Sequence, residues 1–134
     1  MRVTELEVPD ENVVEAGIGA RAITGCTYTT GTGYSNYANC SVNIVTELVT
    51  TKFKASYSRN AQFGQITAAS TPQVVAAYGT STLPTLSVIR AKSSGSLEAL
   101  AQLHSYYTSH TGSSSEDLYL SLRVNASTAW TTNY

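Results

Sequence analysis

Lys52, Lys54, Ser56 and Ser58 recur at every second residue of TTKFKASYSRN, and Arg59 follows them. In an extended chain residues i and i+2 share a face and stand about 6.6 Å apart, close to the spacing of successive nucleotide phosphates. Two ammonium groups and two hydroxyls at that spacing can hold an anionic polymer through phosphate contacts that carry little sequence preference. The plainer reading of the same lysines is charge on a strand edge that discourages aggregation. Ser41 and Asn43, alternating with Cys40, Val42 and Ile44, supply a second polar row. The candidate polyanion-contact residues are therefore Ser41, Asn43, Lys52, Lys54, Ser56 and Arg59. Tyr34 or Tyr37 could stack on a base if it lies near the open side of the sheet.

Other chemistry is sparse. Serine is abundant, but the two histidines, His104 and His110, fall on or just past one predicted helix with no acid placed to serve both, so a nucleophile, base and orienting acid are not assembled. Five of the nine acids, Glu5, Glu7, Asp10, Glu11 and Glu15, lie in the first fifteen residues, where solvated charge is the ordinary explanation. Cys26 and Cys40 combine with the histidines at no recognised metal spacing. The expectation is a protein that is not an enzyme and has no metal, cofactor or small-molecule substrate. The two cysteines are equidistant from Gly33 in TTGTGYSN, so a hairpin centred there places them on facing strands, near enough to bridge if the register holds. Two buried free thiols are the alternative. Asn39-Cys40-Ser41 and Asn125-Ala126-Ser127 match the glycosylation sequon, a signal short enough to arise by chance in a Ser-rich chain.

A chain of 134 residues fits a single domain, 1–134, with a core that needs no metal. Apolar residues make up 42% and charged residues 13%, so Ser, Thr, Asn and Gln must cover the surface; a free cytosolic domain carries about twice this charge. Such a composition suits secretion, or an assembly in which much of the surface meets other subunits. The net charge of −1 conceals a segregation: no acid lies between Glu47 and Glu98, whereas Lys52, Lys54, Arg59, Arg90 and Lys92 all do. The first residues carry no apolar h-region, which reads either as cytosolic synthesis or as a signal peptide already removed. No apolar run approaches a membrane span, and no membrane partner is expected.

These residues must be positioned by strands and helices. Val3–Pro9 and Asn12–Ala16 read as short strands, separated by a Pro9-Asp10 turn and ended by Gly17-Ile18-Gly19. Ala22–Thr30 is a strand, Gly31-Thr32-Gly33 its hairpin turn, and the partner begins near Tyr37. The run from Tyr37 to Ser58 exceeds an ordinary strand and is divided near Thr46 to Thr50; Asn60–Gly64 is a loop. Over Gln65–Tyr78, Thr71-Pro72 has the form of a helix start while Val74, Val75 and Tyr78 favour the strand that we adopt. Gly79–Thr82 turns the chain, and Pro84–Ala91 is a strand with Leu86 and Val88 inward. From Ser96, a cap with Glu98 in its first turn, Leu97, Leu100, Ala101, His104 and Tyr107 recur at helical spacing up to Gly112. A helix is predicted, with His104 a core or interface histidine rather than a ligand. Ser113-Ser114-Ser115-Glu116 has the form of a capping box and predicts a second helix, although Leu118, Leu120, Leu122 and Val124 alternate as in a strand. Asn125–Tyr134 is a polar tail anchored by Trp130. The expected class is α+β: an antiparallel sheet with an N-terminal hairpin and two C-terminal helices.

That order of elements, with the KFKAS strand and GSLEALAQLHSYYTSHTGSSSEDLYLSL as a helix pair joined by a Gly-Ser loop, resembles the coat proteins of single-stranded RNA bacteriophages, the levivirus-like capsid proteins. The resemblance implies a structural protein whose two chains interlock their helices in a homodimer. Dimers then assemble an icosahedral shell, a virion made in the host cytoplasm, with the joint sheet toward packaged single-stranded RNA. It places Ser41, Asn43, Lys52, Lys54 and Ser56 on the RNA-facing side and Leu97, Leu100, Leu103 and Tyr107 at the dimer interface. It also lets Cys26 and Cys40 bridge, within or between subunits, once particles leave the reducing cytosol. The competing class is a small secreted α+β protein, such as a fungal killer toxin or effector, stapled by one Cys26–Cys40 disulfide.

Overall fold

The computed structural model describes the backbone of residues 2–7, 14–15, 19–46 and 49–134, with side chains from Ile23 onward. The expected turn at Pro9-Asp10 and most of the break at Gly17-Ile18-Gly19 lie outside the described residues. Among the described residues the chain forms strands only, in two antiparallel sheets, and no helix. The α+β expectation is overturned: this is an all-β architecture.

The first sheet contains β1 (Arg2–Glu7), β2 (Val14–Glu15), β3 (Gly19–Gly31), β4 (Tyr34–Val45), β5 (Val49–Asn60) and β6 (Gly64–Ala76), ordered β1-β3-β4-β5-β6 with β2 also pairing β3. From β3 onward it is a meander whose joints are written locally. Gly33 takes φ +80° in the Thr32-Gly33 turn, which few other residues accept. Thr46 closes the next joint: its amide donates to the Val49 carbonyl at 2.9 Å and its hydroxyl accepts from the Val49 amide at 3.1 Å. At the third, the Asn60 side-chain oxygen accepts from the amides of Gln62 and Phe63 at 2.8 and 2.9 Å, an Asx turn.

The second sheet contains β7 (Gly79–Ser81), β8 (Thr85–Arg90), β9 (Ala99–Ser109), β10 (Ser115–Val124) and β11 (Ala129–Thr132), ordered β11-β10-β9-β7, with β8 also on β9. The polar tail expected after Asn125 instead supplies β11, entered through a second Asx turn in which Asn125 accepts from Ser127 and Thr128 amides at 2.9 and 2.8 Å. Of the two residues expected inward on β8, Leu86 packs on the core and Val88 is exposed.

The core lies between the sheets and follows period two on both sides. Val42, Ile44, Phe53, Ala55, Tyr57 and Ile66 face Ala99, Ala101, Leu103, Leu120, Leu122 and Val124. At one flank the edge of the first sheet is tied to the β8–β9 connection, with the Ile66 amide on the Ala91 carbonyl at 2.7 Å and the Ser93 amide on the Gly64 carbonyl at 2.8 Å.

Both predicted helices are strands. ALAQLHSYYTS contains good helix formers, but it also alternates: Ala99, Ala101, Leu103, Ser105 and Tyr107 are all buried on one side. Ten consecutive register pairs with β10, from Ser115↔Thr108 to Val124↔Ala99, fix the strand, and that side packs into the core against the first sheet. Tertiary pairing therefore overrides local propensity. Ser113 and Glu116 form no capping box; the Thr111–Ser114 stretch is a hairpin loop in which the Ser109 amide donates to the Ser114 carbonyl at 2.9 Å. The helical stripe assigned to a dimer interface is dispersed accordingly. Leu103 and Tyr107 are buried within their own chain, and Leu100 is buried on the other face of β9. Only Leu97 of the four is exposed. His104, expected in a core or interface, is on the outer face, 2.9 Å from the Asp117 carboxylate.

Candidate functional site

The strand pair β4–β5 brings the two polar rows together. Register sets Ser41 opposite Lys54 and Asn43 opposite Lys52, while Cys40, Val42, Phe53 and Ala55 take the buried side. Lys52 and Lys54 thus share the outer face of the first sheet, both exposed, with no element over them among the described residues. Ser56 belongs to the same face at its far end, where its hydroxyl accepts from the Asn39 amide at 3.0 Å. Strands β3 to β6 contain no acidic residue, so nothing on these four strands neutralises the pair.

The next strand shapes the space between the lysines. Lys52 pairs with Gln73 and Lys54 with Ser70, so Thr71 and Pro72 together oppose the single Phe53. This is a bulge on an edge strand, where a proline without an amide hydrogen is tolerated. Thr71 adopts φ +51°, an unfavourable conformation for a β-branched residue. The result is a cleft of about 190 Å³ lined by Ser41, Lys52, Phe53, Lys54, Thr71 and Gln73. That is smaller than a site for a drug-sized ligand and of a size for one anionic group held by two ammonium groups, hydroxyls and an amide. Sequence reasoning missed Thr71 and Gln73. The signal was Pro72 inside a strand-like run, which marks an edge strand or bulge.

Arg59 does not join this group. It lies on the inward parity of β5, where its guanidinium stands 5.2 Å from the Tyr37 ring centre and donates to the Tyr37 hydroxyl at 2.7 Å and the Ser127 carbonyl at 3.0 Å. Tyr37 itself is buried, stacked on Tyr57 at 4.7 Å and tilted at 45° against Tyr28 at 5.0 Å, so it is not available to a base. Tyr34 is exposed at the hairpin end. Arg59, held by Tyr37, ties the first sheet to the β10–β11 turn.

Cys26 and Cys40 are bridged, with Cα atoms 4.1 Å apart and both residues fully buried. Between the pairs Thr24↔Ser41 and Thr27↔Ala38 the ladder is interrupted, with Gly25 at φ +73° and Asn39 at φ +56°. Asn tolerates this left-handed geometry better than most residues. Asn39, the first residue of a sequon, is thereby exposed beside the bridge.

No protein-family model matches the chain, and no curated protein matches it in sequence. Among solved structures it is similar to the crystal structure of a hypothetical protein from Listeria monocytogenes EGD-e, at 16% identity over 98% of this chain and 93% of that one, with a TM-score of 0.52. At that identity the likeness is one of fold. It lends no support to a relationship with phage coat proteins.

On the second sheet, Arg123 donates to the Glu98 carboxylate and, at 2.9 Å, to the Thr132 hydroxyl, while the Arg90 side chain donates to the Glu98 carbonyl at 2.5 Å. A backbone hydrogen bond, with the Arg123 hydrogen bond and the charges of Arg123 and Arg90, outweighs burial and holds the Glu98 carboxyl below the usual glutamate range. This cluster is structural. Among the described residues no three His, Cys, Asp or Glu side chains converge to hold a metal.

Proposed function

We propose that this protein is a disulfide-stapled all-β binding domain whose Lys52–Lys54 cleft takes the anionic groups of an extended polymer. The observation that carries the reading is the pairing of two exposed lysines across a bulge-made cleft, on strands without a carboxylate. Strained backbone in a cleft is a mark of positions held for binding rather than for stability, and Thr71 is such a position. Two cations give weak contact with a single phosphate; repeated along a polymer, or presented by several copies, they act together through effective concentration. Single-stranded RNA is the first polymer to test. The buried Cys26–Cys40 bridge supports an oxidising compartment as the place of work, as in the secreted reading of the sequence.

The shell reading uses the same face toward packaged RNA and adds self-assembly, for which the expected interlocking helices are missing among the described residues. Sizing separates the two: the binding domain elutes as a small species of 14.2 kDa or a few copies of it, whereas a shell protein elutes as megadalton particles. The binding function itself is tested by titrating single-stranded RNA and heparin into the wild type and the Lys52→Ala/Lys54→Ala double variant. Equal binding by both proteins overturns it.

A further inference from the structure

We infer that the outer face of the second sheet is a binding platform for a neutral glycan chain. The platform is built from two adjacent strands. Register sets His104 opposite Tyr119 and Tyr106 opposite Asp117, so four side chains form a square on the solvent side of β9 and β10. His104 and Tyr119 lie nearly parallel, with ring centres 4.7 Å apart, and the His104 ring is hydrogen-bonded across the diagonal to Asp117 at 2.9 Å. Tyr106 is oriented by donating to the Ser115 hydroxyl at 2.8 Å. In the next row Gln102 donates to the Ser121 hydroxyl at 3.0 Å, which keeps its carbonyl oxygen as an acceptor. Hydrogen bonds therefore orient His104 and Tyr106, and stacking on His104 orients Tyr119, while Tyr106 is 40% and Tyr119 36% exposed.

Fixed, exposed aromatic rings beside a carboxylate and an amide match the surface of a sugar, which offers C–H faces to the electron-rich ring and hydroxyl donors to the oxygens. Along β9 the square measures about 7 Å and across the ladder about 5 Å, the dimensions of one sugar ring. Charge selects against the polymer proposed for the other sheet: Asp117 is a carboxylate within the square, and the two arginines of this sheet, Arg90 and Arg123, are both bound to Glu98. Asp117, whose side chain is 55% exposed among the rings, repels phosphate and sulfate groups. A protein partner is less suited, because interface centres are depleted of Asp and the exposed Asp117 belongs to the square. The square and the Lys52–Lys54 cleft thus differ in charge and in ligand.

The test uses the purified full chain in affinity gels containing soluble xylan, laminarin or hydroxyethylcellulose, and in sedimentation with insoluble cellulose and chitin. Poly(A) serves as the polyanion control. The expected result is retention on at least one of the five neutral polysaccharides, weakened about tenfold by Tyr119→Ala or Tyr106→Ala and unchanged by Lys52→Ala/Lys54→Ala. Both tyrosines are exposed, and thermal midpoints confirm that each variant is folded; Asp117→Asn, which changes no volume, gives the same loss without removing a ring. Absence of retention on all five polysaccharides overturns the inference, as does retention that none of the three platform variants weakens. Poly(A) binding that Tyr119→Ala abolishes also overturns it.

Discussion

Lys52 and Lys54 are two residues apart on β5, yet their ladder partners on β6, Gln73 and Ser70, are three apart. The surplus residue makes the cleft. A regular ladder would present a flat lysine edge, whereas the Thr71-Pro72 bulge bends the edge strand away from Phe53 and leaves a depression between the two ammonium groups.

The lysines are exposed and carry no packing role. Lys52→Ala with Lys54→Ala is expected to weaken single-stranded RNA binding about tenfold at low salt. The log–log salt slope should become shallower by about 1.4, two phosphate contacts at about 0.7 each. Denaturant titration should show stability within about 0.5 kcal/mol of wild type, as for other exposed substitutions. An unchanged salt slope would move the contact surface elsewhere.

Thr71 holds a strained backbone, with its hydroxyl donating to the Ser70 carbonyl at 2.8 Å. Thr71→Gly removes the strain and is expected to stabilise the protein by about 1 kcal/mol, read as a higher denaturant midpoint with an unchanged slope. A lower midpoint would show that the hydroxyl hydrogen bond outweighs the strain.

Arg59 faces inward, and its replacement separates structure from binding. Arg59→Ala breaks the bonds to Tyr37 and Ser127 and is expected to cost about 2 kcal/mol of stability. RNA affinity of the folded variant should be unaltered. A loss of affinity in a variant of normal stability would return Arg59 to the contact group.

The disulfide closes a short loop around the β3–β4 hairpin. With its ends separated by 14 positions in the sequence, its removal in the Cys26→Ala/Cys40→Ala variant is expected to cost about 3 kcal/mol. Hydrogen exchange should then show protection lost first in β3 and β4, and loss spread evenly over both sheets would argue against a local staple.

Glu98 titrates below its usual range when folded, so its contribution is fully present above the unfolded glutamate value and is lost as pH falls through the folded one. The wild type should lose stability on acidification below about pH 4.5, and Glu98→Gln should flatten that part of the profile in thermal melts. Parallel profiles for the two proteins would assign the acid sensitivity to other carboxylates.

Much of the first sheet was legible in the chain. Gly33 with its equidistant cysteines, and the period-two runs on either side of Thr46, predicted the hairpin, the bridge and the shared face of Lys52 and Lys54 from local rules alone. The second sheet was misread because LAQLHSYYTS carries two periods at once. Leu100, Ala101, His104 and Tyr107 satisfy a helix, and Ala101, Leu103, Ser105 and Tyr107 satisfy a strand. The capping form of Ser113–Glu116 added a local signal that pointed the wrong way.

What the sequence determined by itself is the alternation that sorts lysines and hydroxyls from the buried side of β4 and β5, since side-chain direction in an extended chain depends only on parity. Tertiary structure alone decided that β9 and β10 are strands, that Arg59 meets Ser127, and that His104, Tyr106, Asp117 and Tyr119 meet. Each of these depends on a partner remote in the chain, and the free energy of filling the space between two sheets exceeds the fraction of a kcal/mol per residue by which local propensity prefers a helix.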